Sequence, residues 1–165
     1  MATKRKACLT GGCQCGAVRY ALYAQPEGTH VCHCRMCQKA VGGPFAALAP
    51  VKLNDFAWTR GKPAAFASST VAIRDFCAAC GTPLSFRYTG KDRINVTIGS
   101  LDESAKSPPA LQYGIESKVP WLTHIGFLAS STTEDDMPAA FKAKLVNFQH
   151  PDHDTPASWT SPKAR

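Results

Sequence analysis

The sequence of 165 residues contains no apolar run long enough to span a bilayer, and no apolar stretch of signal-peptide length follows its basic start. The reducing cytoplasm is therefore the expected compartment, and no membrane partner is expected. Acidic residues are few, 12 against 19 lysines and arginines, which gives a formal net charge of +7. The interior nevertheless has no basic run interleaved with aromatics, and Lys4, Lys163 and Arg165 lie close to the ends. The charge indicates ordinary solubility, and nucleic acid is not the expected partner.

Cysteine, in contrast, is abundant, with eight residues, of which seven fall into three tight clusters. The clusters are Cys13 with Cys15, Cys32 with Cys34 and Cys37, and Cys77 with Cys80. Clustered cysteines in a reducing compartment bind metal more often than they form disulfides. Sulfurs two or three residues apart can converge on one zinc ion. Cys8 lies outside the clusters, and we interpret it as a free thiol.

Apolar and polar residues alternate with period two in four segments, at about residues 18–22, 71–74, 84–88 and 94–98. This pattern is typical of half-buried strands. The last two segments are joined by a polar stretch that contains Gly90 and suits a hairpin loop. Helix signals are scarce: one turn is predicted over residues 34–40, and a short helix is predicted with Pro138 at its first position. The sequence predicts a mainly β structure.

The length is sufficient for one domain with its own core. We expect an N-terminal extension over residues 1–10 and a single metal-binding domain over residues 11–148. Residues 149–165 contain three prolines among polar residues, and we expect them to form a loosely ordered tail. The sequence gives no prediction of the oligomeric state.

Seven clustered thiols divide naturally into a set of four and a set of three. Structural zinc normally has four protein ligands, whereas catalytic zinc has three and an open position. One partition joins the cysteines at 13, 15, 77 and 80 and leaves those at 32, 34 and 37 as the open set. A competing partition joins the pair at 34 and 37 with the pair at 77 and 80, as in a zinc ribbon, although their separation exceeds the usual ~15–20 residues. Spacing alone leaves both partitions open.

Four segments carry a resemblance to a known family. They are GGCQCGAVRY (residues 11–20), CHCRMCQK (residues 32–39), FCAACGTPL (residues 76–84) and GSLD (residues 99–102). In order and spacing they closely resemble the glutathione-dependent formaldehyde-activating enzyme family, over roughly residues 11–125, and Trp121 falls where the family commonly has a tryptophan. The resemblance implies a mostly antiparallel β-tent fold with two zinc ions. It also implies that Cys13, Cys15, Cys77 and Cys80 hold structural zinc and that Cys32, Cys34 and Cys37 hold catalytic zinc.

The activity that the resemblance implies is that of a carbon–sulfur lyase. Glutathione thiolate would occupy the open zinc position and add to formaldehyde, or to a related aldehyde, to give S-hydroxymethylglutathione or a similar adduct. A non-catalytic zinc module is the alternative. It would act as a glutathione carrier or as a nucleic-acid or chromatin binder, because the family also resembles a vertebrate centromere-associated protein.

Glutathione carries two carboxylates, so cations are expected near the open set of three cysteines. The candidates are Arg35, Lys39, Arg19, Arg74 and Lys118. In an extended segment the His33 side chain would point away from its neighbours Cys32 and Cys34, which favours a place in the wall of the site over a ligand role. His30 and His124 are candidate proton carriers, and Phe45 and Trp121 are candidate pocket residues.

Overall fold

The structure is a computed structural model that describes residues 5–160. Within these residues it contains ten strands and two short α-helices. The strands are β1 Leu9–Gly12, β2 Arg19–Leu22, β3 His30–Cys32, β4 Ala46–Lys52, β5 Phe56–Arg60, β6 Ala64–Ser69, β7 Ala72–Phe76, β8 Pro83–Tyr88, β9 Arg93–Thr97 and β10 Leu111–Tyr113. The α-helices are α1 Arg35–Val41 and α2 Ala139–Lys142, and short 3₁₀ helices include Ile115–Ser117 and Pro120–Phe127.

The strands form two sheets. The small sheet has the order β1-β2-β5, and the large sheet has the order β10-β3-β4-β9-β8-β7-β6. All pairs are antiparallel except β10 with β3, which is parallel. The predicted mainly β, mostly antiparallel fold with few short helices is therefore confirmed. No helix within the described residues is both long enough and apolar enough to cross a membrane.

The four segments with period-two alternation are strands β2, β7, β8 and β9. The predicted hairpin joins β8 to β9, which pair antiparallel with Ser85 opposite Val96. The turn predicted over residues 34–40 is α1. Pro138 is not the first residue of α2, because its ψ of 140° is not helical and the helix begins at Ala139. The prediction was wrong by one residue there.

One core lies between the two sheets. It contains residues of both sheets together with two of the clustered sulfurs: Leu9, Tyr20, Leu22, Val51, Leu84, Ile94, Val96, Cys13 and Cys77. Burial of this apolar surface is the main force that holds the small sheet against the large one. A second, smaller cluster lies under α1 and contains Cys37, Ala46 and Leu48. The two groups of cysteines are thus associated with different apolar clusters.

Strand β2 differs from the half-buried strand that the alternation predicts, because all four of its residues are buried. It is the central strand of its sheet, and its polar residue, Arg19, is 3% exposed. The guanidinium donates to both carboxylate oxygens of Asp102, at 2.7 and 2.5 Å. The carboxylate of Asp102 therefore replaces water as the partner of the buried Arg19 guanidinium.

Residues 149–160 make specific contacts with the rest of the chain. The His150 N–H donates to the carbonyl of Gln14 at 2.7 Å, and the buried His150 ring packs edge-on against Trp159. Both rings lie so close to Gly16 that a Cβ there would be 2.4–2.5 Å from them. The prediction of a loosely ordered tail did not anticipate these contacts. The domain boundaries stay predictions, and Lys4, Lys163 and Arg165 lie outside the described residues.

Candidate metal centres

The cysteines at positions 13, 15, 77 and 80 come together as one group. The first two lie in the turn between β1 and β2, and the other two lie in the turn between β7 and β8. All four Sγ atoms lie within 4.8 Å of one another, with 3.6 Å between Cys13 and Cys15 and 3.8 Å between Cys15 and Cys77. The group therefore joins a turn of the small sheet to a turn of the large one. We call it the four-cysteine group.

Hydrogen-bond donors already point at sulfur in this group. The Val18 N–H donates to the Sγ of Cys13 at 3.2 Å, and the Thr82 hydroxyl lies 3.2 Å from the Sγ of Cys80. Burial raises the pKa of Cys13 to about 12. Burial acts in the same direction on Cys80, but hydrogen bonds from the side chain and backbone of Thr82 lower the pKa of this thiol to about 6. Crowded thiols of this kind lose their protons together only when a cation compensates their charge.

The cysteines at positions 32, 34 and 37 form a second group, the three-cysteine group. Cys32 ends β3, Cys34 immediately precedes α1, and Cys37 lies within that helix. Their Sγ atoms lie within 4.8 Å of one another, and those of Cys32 and Cys34 are 3.5 Å apart. Among residues 5–160, no other cysteine, histidine, aspartate or glutamate joins this group. The group offers three donors and not four.

The surroundings of the three-cysteine group favour thiolate at selected positions. The Arg74 guanidinium donates to the Sγ of Cys37 at 3.4 Å. Burial acts to raise the pKa of Cys34, but the Cys37 backbone N–H, the neighbouring thiols and the charge of Arg74 together lower it below its ordinary value. Burial raises the pKa of Cys32 to about 12. As in the first group, full deprotonation requires a cation.

A glycine is required at position 114, beside the same group. Gly114 has a φ of +64°, and a Cβ on it would lie 2.7 Å from the backbone nitrogen of Cys34. The backbone of the loop that follows β10 thus packs directly against Cys34, the residue immediately before α1. This close approach fixes one side of the three-cysteine group.

His33 is buried, and it lies outside both groups of sulfurs. Its Nε2 lies 3.1 Å from the side-chain oxygen of Gln112 on β10, and its ring packs edge-on against Phe45. Gln38, a residue that the sequence reasoning missed, donates to the carbonyls of His33 and Ser117 at 2.7 and 2.9 Å. These contacts hold α1 and its neighbouring loops around the cysteines. Only the position of Gln38, four residues after Cys34, could have suggested this role.

The candidate cations are in different environments. Arg19 is committed to Asp102 and Asp154, and it lines a cavity next to the four-cysteine group. Lys118 donates to the side chain of Gln112 at 3.1 Å. Arg35, Lys39 and Arg74 instead line one common cavity beside the three-cysteine group. Three of the five candidates are therefore brought together.

The candidate proton carriers and the remaining aromatic candidate line neither group of sulfurs as ligands. His30 Nδ1 lies 2.9 Å from the Gly28 carbonyl, and its ring packs against Tyr113. His124 contacts the hydroxyl of Thr123. Trp121 is 54% exposed. None of these three residues contributes a ligand atom to the two sulfur groups.

The donor chemistry of both groups suits zinc. A set made only of thiolates selects soft or borderline cations, and four tetrahedrally arranged sulfurs are typical of structural zinc. Sulfur atoms held within 4.8 Å of one another can reach a common ion with small side-chain adjustments. The residues present therefore fit zinc in both places.

Comparisons with known proteins place these groups in a family context. Residues 8–116 match the sequence profile of the glutathione-dependent formaldehyde-activating enzyme family. A Schizosaccharomyces pombe protein named as an uncharacterized lyase is 33% identical over 81 residues, which span 48% of this chain and 57% of that protein. A crystal structure of a Rhodobacter sphaeroides protein superposes with a TM-score of 0.49 at 22% identity, over 62% of this chain and 98% of that one.

Proposed function

The chain belongs to the glutathione-dependent formaldehyde-activating enzyme family, and on that premise we propose that it is a zinc-dependent carbon–sulfur lyase. Its reaction joins glutathione to formaldehyde, or to a related aldehyde: the thiolate sulfur bonds to the carbonyl carbon, and the carbonyl oxygen takes up a proton. The relative named as a lyase supports the reaction class, and the match covers 57% of that relative's length.

The observation that carries the proposal is the inequality of the two sulfur groups. Four donors close the coordination of a structural ion, whereas three donors leave one position for a substrate. Cys13, Cys15, Cys77 and Cys80 would hold the structural ion, and Cys32, Cys34 and Cys37 would hold the catalytic one. When bound at the three-cysteine group, zinc would keep a coordinating thiol ionised at neutral pH, whereas a free thiol has a pKa of about 8.5.

The protein's own residues would prepare this site in two ways. Arg74 donates to the Sγ of Cys37 and places a positive charge beside the thiolates, which outweigh a divalent ion by one negative charge. The buried His33 packs edge-on against the half-buried Phe45 beside the cysteines, and this packed pair would limit the access of water to one side of the site. The thiolates are thus held by a positively charged side chain and by a packed wall.

Metal content gives the first test. Wild-type protein is expected to contain two zinc ions per chain. Cys34→Ser should lose one ion and keep its fold, because the three-cysteine group is local in the chain. Cys77→Ser should lose the other ion and unfold, because that group joins the two sheets. Cys8→Ser, which removes an exposed thiol outside both groups, is the matched control and should keep two ions and a native circular dichroism spectrum. One ion per wild-type chain contradicts the assignment of two sites.

Catalysis itself is tested by exchange. Glutathione and formaldehyde combine without a catalyst, so the measurement is NMR exchange between free glutathione and its hydroxymethyl adduct, with and without zinc-loaded protein. The wild type is expected to accelerate exchange, and Cys34→Ser is expected to leave it at the protein-free rate. Tight glutathione binding without acceleration would instead identify a carrier. Binding of nucleic acid that weakens steeply with salt would favour the nucleic-acid module.

A further inference from the structure

A cavity of about 470 Å³ lies beside the three-cysteine group, between α1 and the end of the large sheet. The helix contributes Arg35, Met36 and Lys39, and the sheet contributes Phe66 and Arg74. Phe66 is directly opposite Arg74 in the β6–β7 register, so the two side chains lie on the same side of the sheet. Because β6 is an end strand, the cavity opens to solvent at the sheet edge. We call it the edge cavity.

The edge cavity adjoins the three-cysteine group, and the Arg74 side chain lies between them. This side chain lines the cavity and also donates to the Sγ of Cys37 at 3.4 Å. Met36, on the helix side, is the residue immediately before Cys37. A molecule in the edge cavity would therefore lie within one side chain of the sulfur atoms.

The edge cavity is lined by three positively charged side chains, of which only Arg74 contacts a sulfur in the described part of the chain. Among the described residues, none of Arg35, Lys39 and Arg74 forms an ion pair with a carboxylate. The Nε of Arg74 is buried without a hydrogen-bond partner in that part of the chain. Within residues 5–160, no acidic residue lines the edge cavity. Asp75 lines the adjoining cavity, where it accepts from the Ser85 hydroxyl at 2.6 Å and pairs with Arg87. Arg35 and Lys39, which pair with neither a carboxylate nor a sulfur among the described residues, therefore favour an anionic ligand.

Apart from Ser68, the rest of the lining is apolar and consists of Met36, Ala40 and Phe66. Met36 and Phe66 are 52% and 61% exposed, so both present apolar surface to a ligand at this cavity. The adjoining cavity, of about 420 Å³, shares Phe66 and Arg74 with the first and continues along Leu48 and Phe86. A small polar molecule would leave this surface in contact with water, whereas an apolar substituent would cover it.

We propose that the edge cavity binds a carboxylate and an apolar substituent of the same ligand, and that the chain prefers glutathione adducts of apolar aldehydes over the adduct of formaldehyde. Arg35 and Lys39 bind the carboxylate, and Met36 and Phe66 contact the substituent. The hydroxymethyl group that formaldehyde supplies is too small to cover this lining. The inference rests on the proposed function, since it names the class of thiol–aldehyde adduct that the three-cysteine group takes.

Binding of stable glutathione conjugates to zinc-loaded protein, measured by isothermal titration calorimetry, tests the proposal without turnover. S-hexylglutathione is expected to bind at least ~10-fold more tightly than S-methylglutathione, because partial burial of its additional methylene groups is favourable. The diethyl ester of S-hexylglutathione, which lacks both carboxylates, is expected to lose about tenfold or more in affinity.

Variants assign the two parts of the ligand to residues. Phe66→Ala is expected to remove most of the preference for the hexyl conjugate and to leave the affinity for the methyl conjugate unchanged. Arg35→Gln combined with Lys39→Gln is expected to weaken both conjugates by about tenfold. Arg74 is not varied, because it also contacts Cys37. Lys62→Gln combined with Lys91→Gln changes the net charge equally at exposed positions outside the cavity, and it should alter neither affinity.

Three results would overturn the proposal: equal affinity for the two conjugates, a hexyl preference that survives Phe66→Ala, or an effect of the control pair as large as that of Arg35 and Lys39. Absence of binding by both conjugates would overturn it as well. The outcome is independent of catalysis. Hexyl-selective binding without accelerated exchange would refute the proposed reaction and keep the edge cavity, and accelerated exchange without that selectivity would do the reverse.

Discussion

The buried ion pair between Arg19 and Asp102 offers a sharp test of how the two sheets are held together. Arg19 lies in the central strand of the small sheet, and Asp102 follows β9 of the large sheet by five residues. The side chains are 3% and 7% exposed, and the pair is bidentate, at 2.7 and 2.5 Å. Asp102 also accepts from the Thr10 hydroxyl at 2.5 Å. Substitution of this aspartate therefore acts on a contact that spans both sheets.

The expected magnitude follows from burial. Removal of one partner of a buried pair typically costs about 3–5 kcal/mol. Among the described residues, Arg19 would keep only Asp154, which is too exposed to replace the buried carboxylate. Asp102→Asn should lower the free energy of unfolding by this amount. The structure contains its own control, because Asp154 pairs with the same guanidinium at 2.8 Å but is 59% exposed. Asp154→Asn should cost less than about 1 kcal/mol, since solvent screens that pair.

Urea denaturation at pH 7, followed by circular dichroism, measures both variants. Free zinc must be buffered at one concentration throughout, because metal binding adds to the apparent stability of the folded state. The reasoning is supported if Asp102→Asn lowers the free energy of unfolding by at least about 2 kcal/mol more than Asp154→Asn does, as the difference in burial implies. Equal small losses would show that the pair contributes no more than a surface contact, and the account of the buried strand would then be wrong.

Two further predictions concern the same contact and the glycine beside Cys34. Burial acts to raise the pKa of Asp102, but the hydrogen bonds and charge of Arg19 lower it below its ordinary value. The contribution of this carboxylate to the free energy of unfolding is therefore fully present above about pH 3.9, and it is lost as the pH falls through the pKa of the folded state. The stability difference between wild type and Asp102→Asn should therefore narrow below about pH 4; a constant difference would contradict this sign. Gly114→Ala should lower the free energy of unfolding more than Gly28→Ala in the same urea assay. Both glycines have positive φ, so either substitution costs about 1–2 kcal/mol of backbone strain. Only at position 114 would the added Cβ also meet backbone, 2.7 Å from the Cys34 nitrogen. Equal costs would argue against close packing of that loop on the three-cysteine group.

The sequence predicted those parts of the fold whose signal is local. Alternation identified β2, β7, β8 and β9, but β4 was missed because its seven residues, AALAPVK, are almost all apolar and give no alternation. β6, with the sequence AAFASS, has little β propensity and depends on its pairing with β7. Strands of these two kinds depend on tertiary contacts, and local sequence patterns carry no information about such contacts.

The same distinction applies to the candidate site. The sulfur groups are marked by local spacing and by the family motifs, so the members of both groups could be named in advance. Arg19 was a candidate for binding substrate, but it forms a buried ion pair with Asp102, which is 83 residues away in the sequence. The edge cavity could not be predicted, because it exists only where α1 packs near the Phe66–Arg74 pair.

Under the proposed function, the contrast between the two sulfur groups would let one kind of metal ion serve two purposes in a single small fold. In the four-cysteine group, Cys15 and Cys77 are 62 residues apart, so an ion there closes a long loop and restricts the unfolded chain strongly. In the three-cysteine group, Cys32 and Cys34 are two residues apart, and closure of so short a segment adds little. Ligand changes in residues 32–37 therefore act on the site more than on the fold. Under the proposed function, a change at the three-cysteine group or at the edge cavity would alter the preferred adduct, while an ion at the other four sulfurs would keep the two sheets joined.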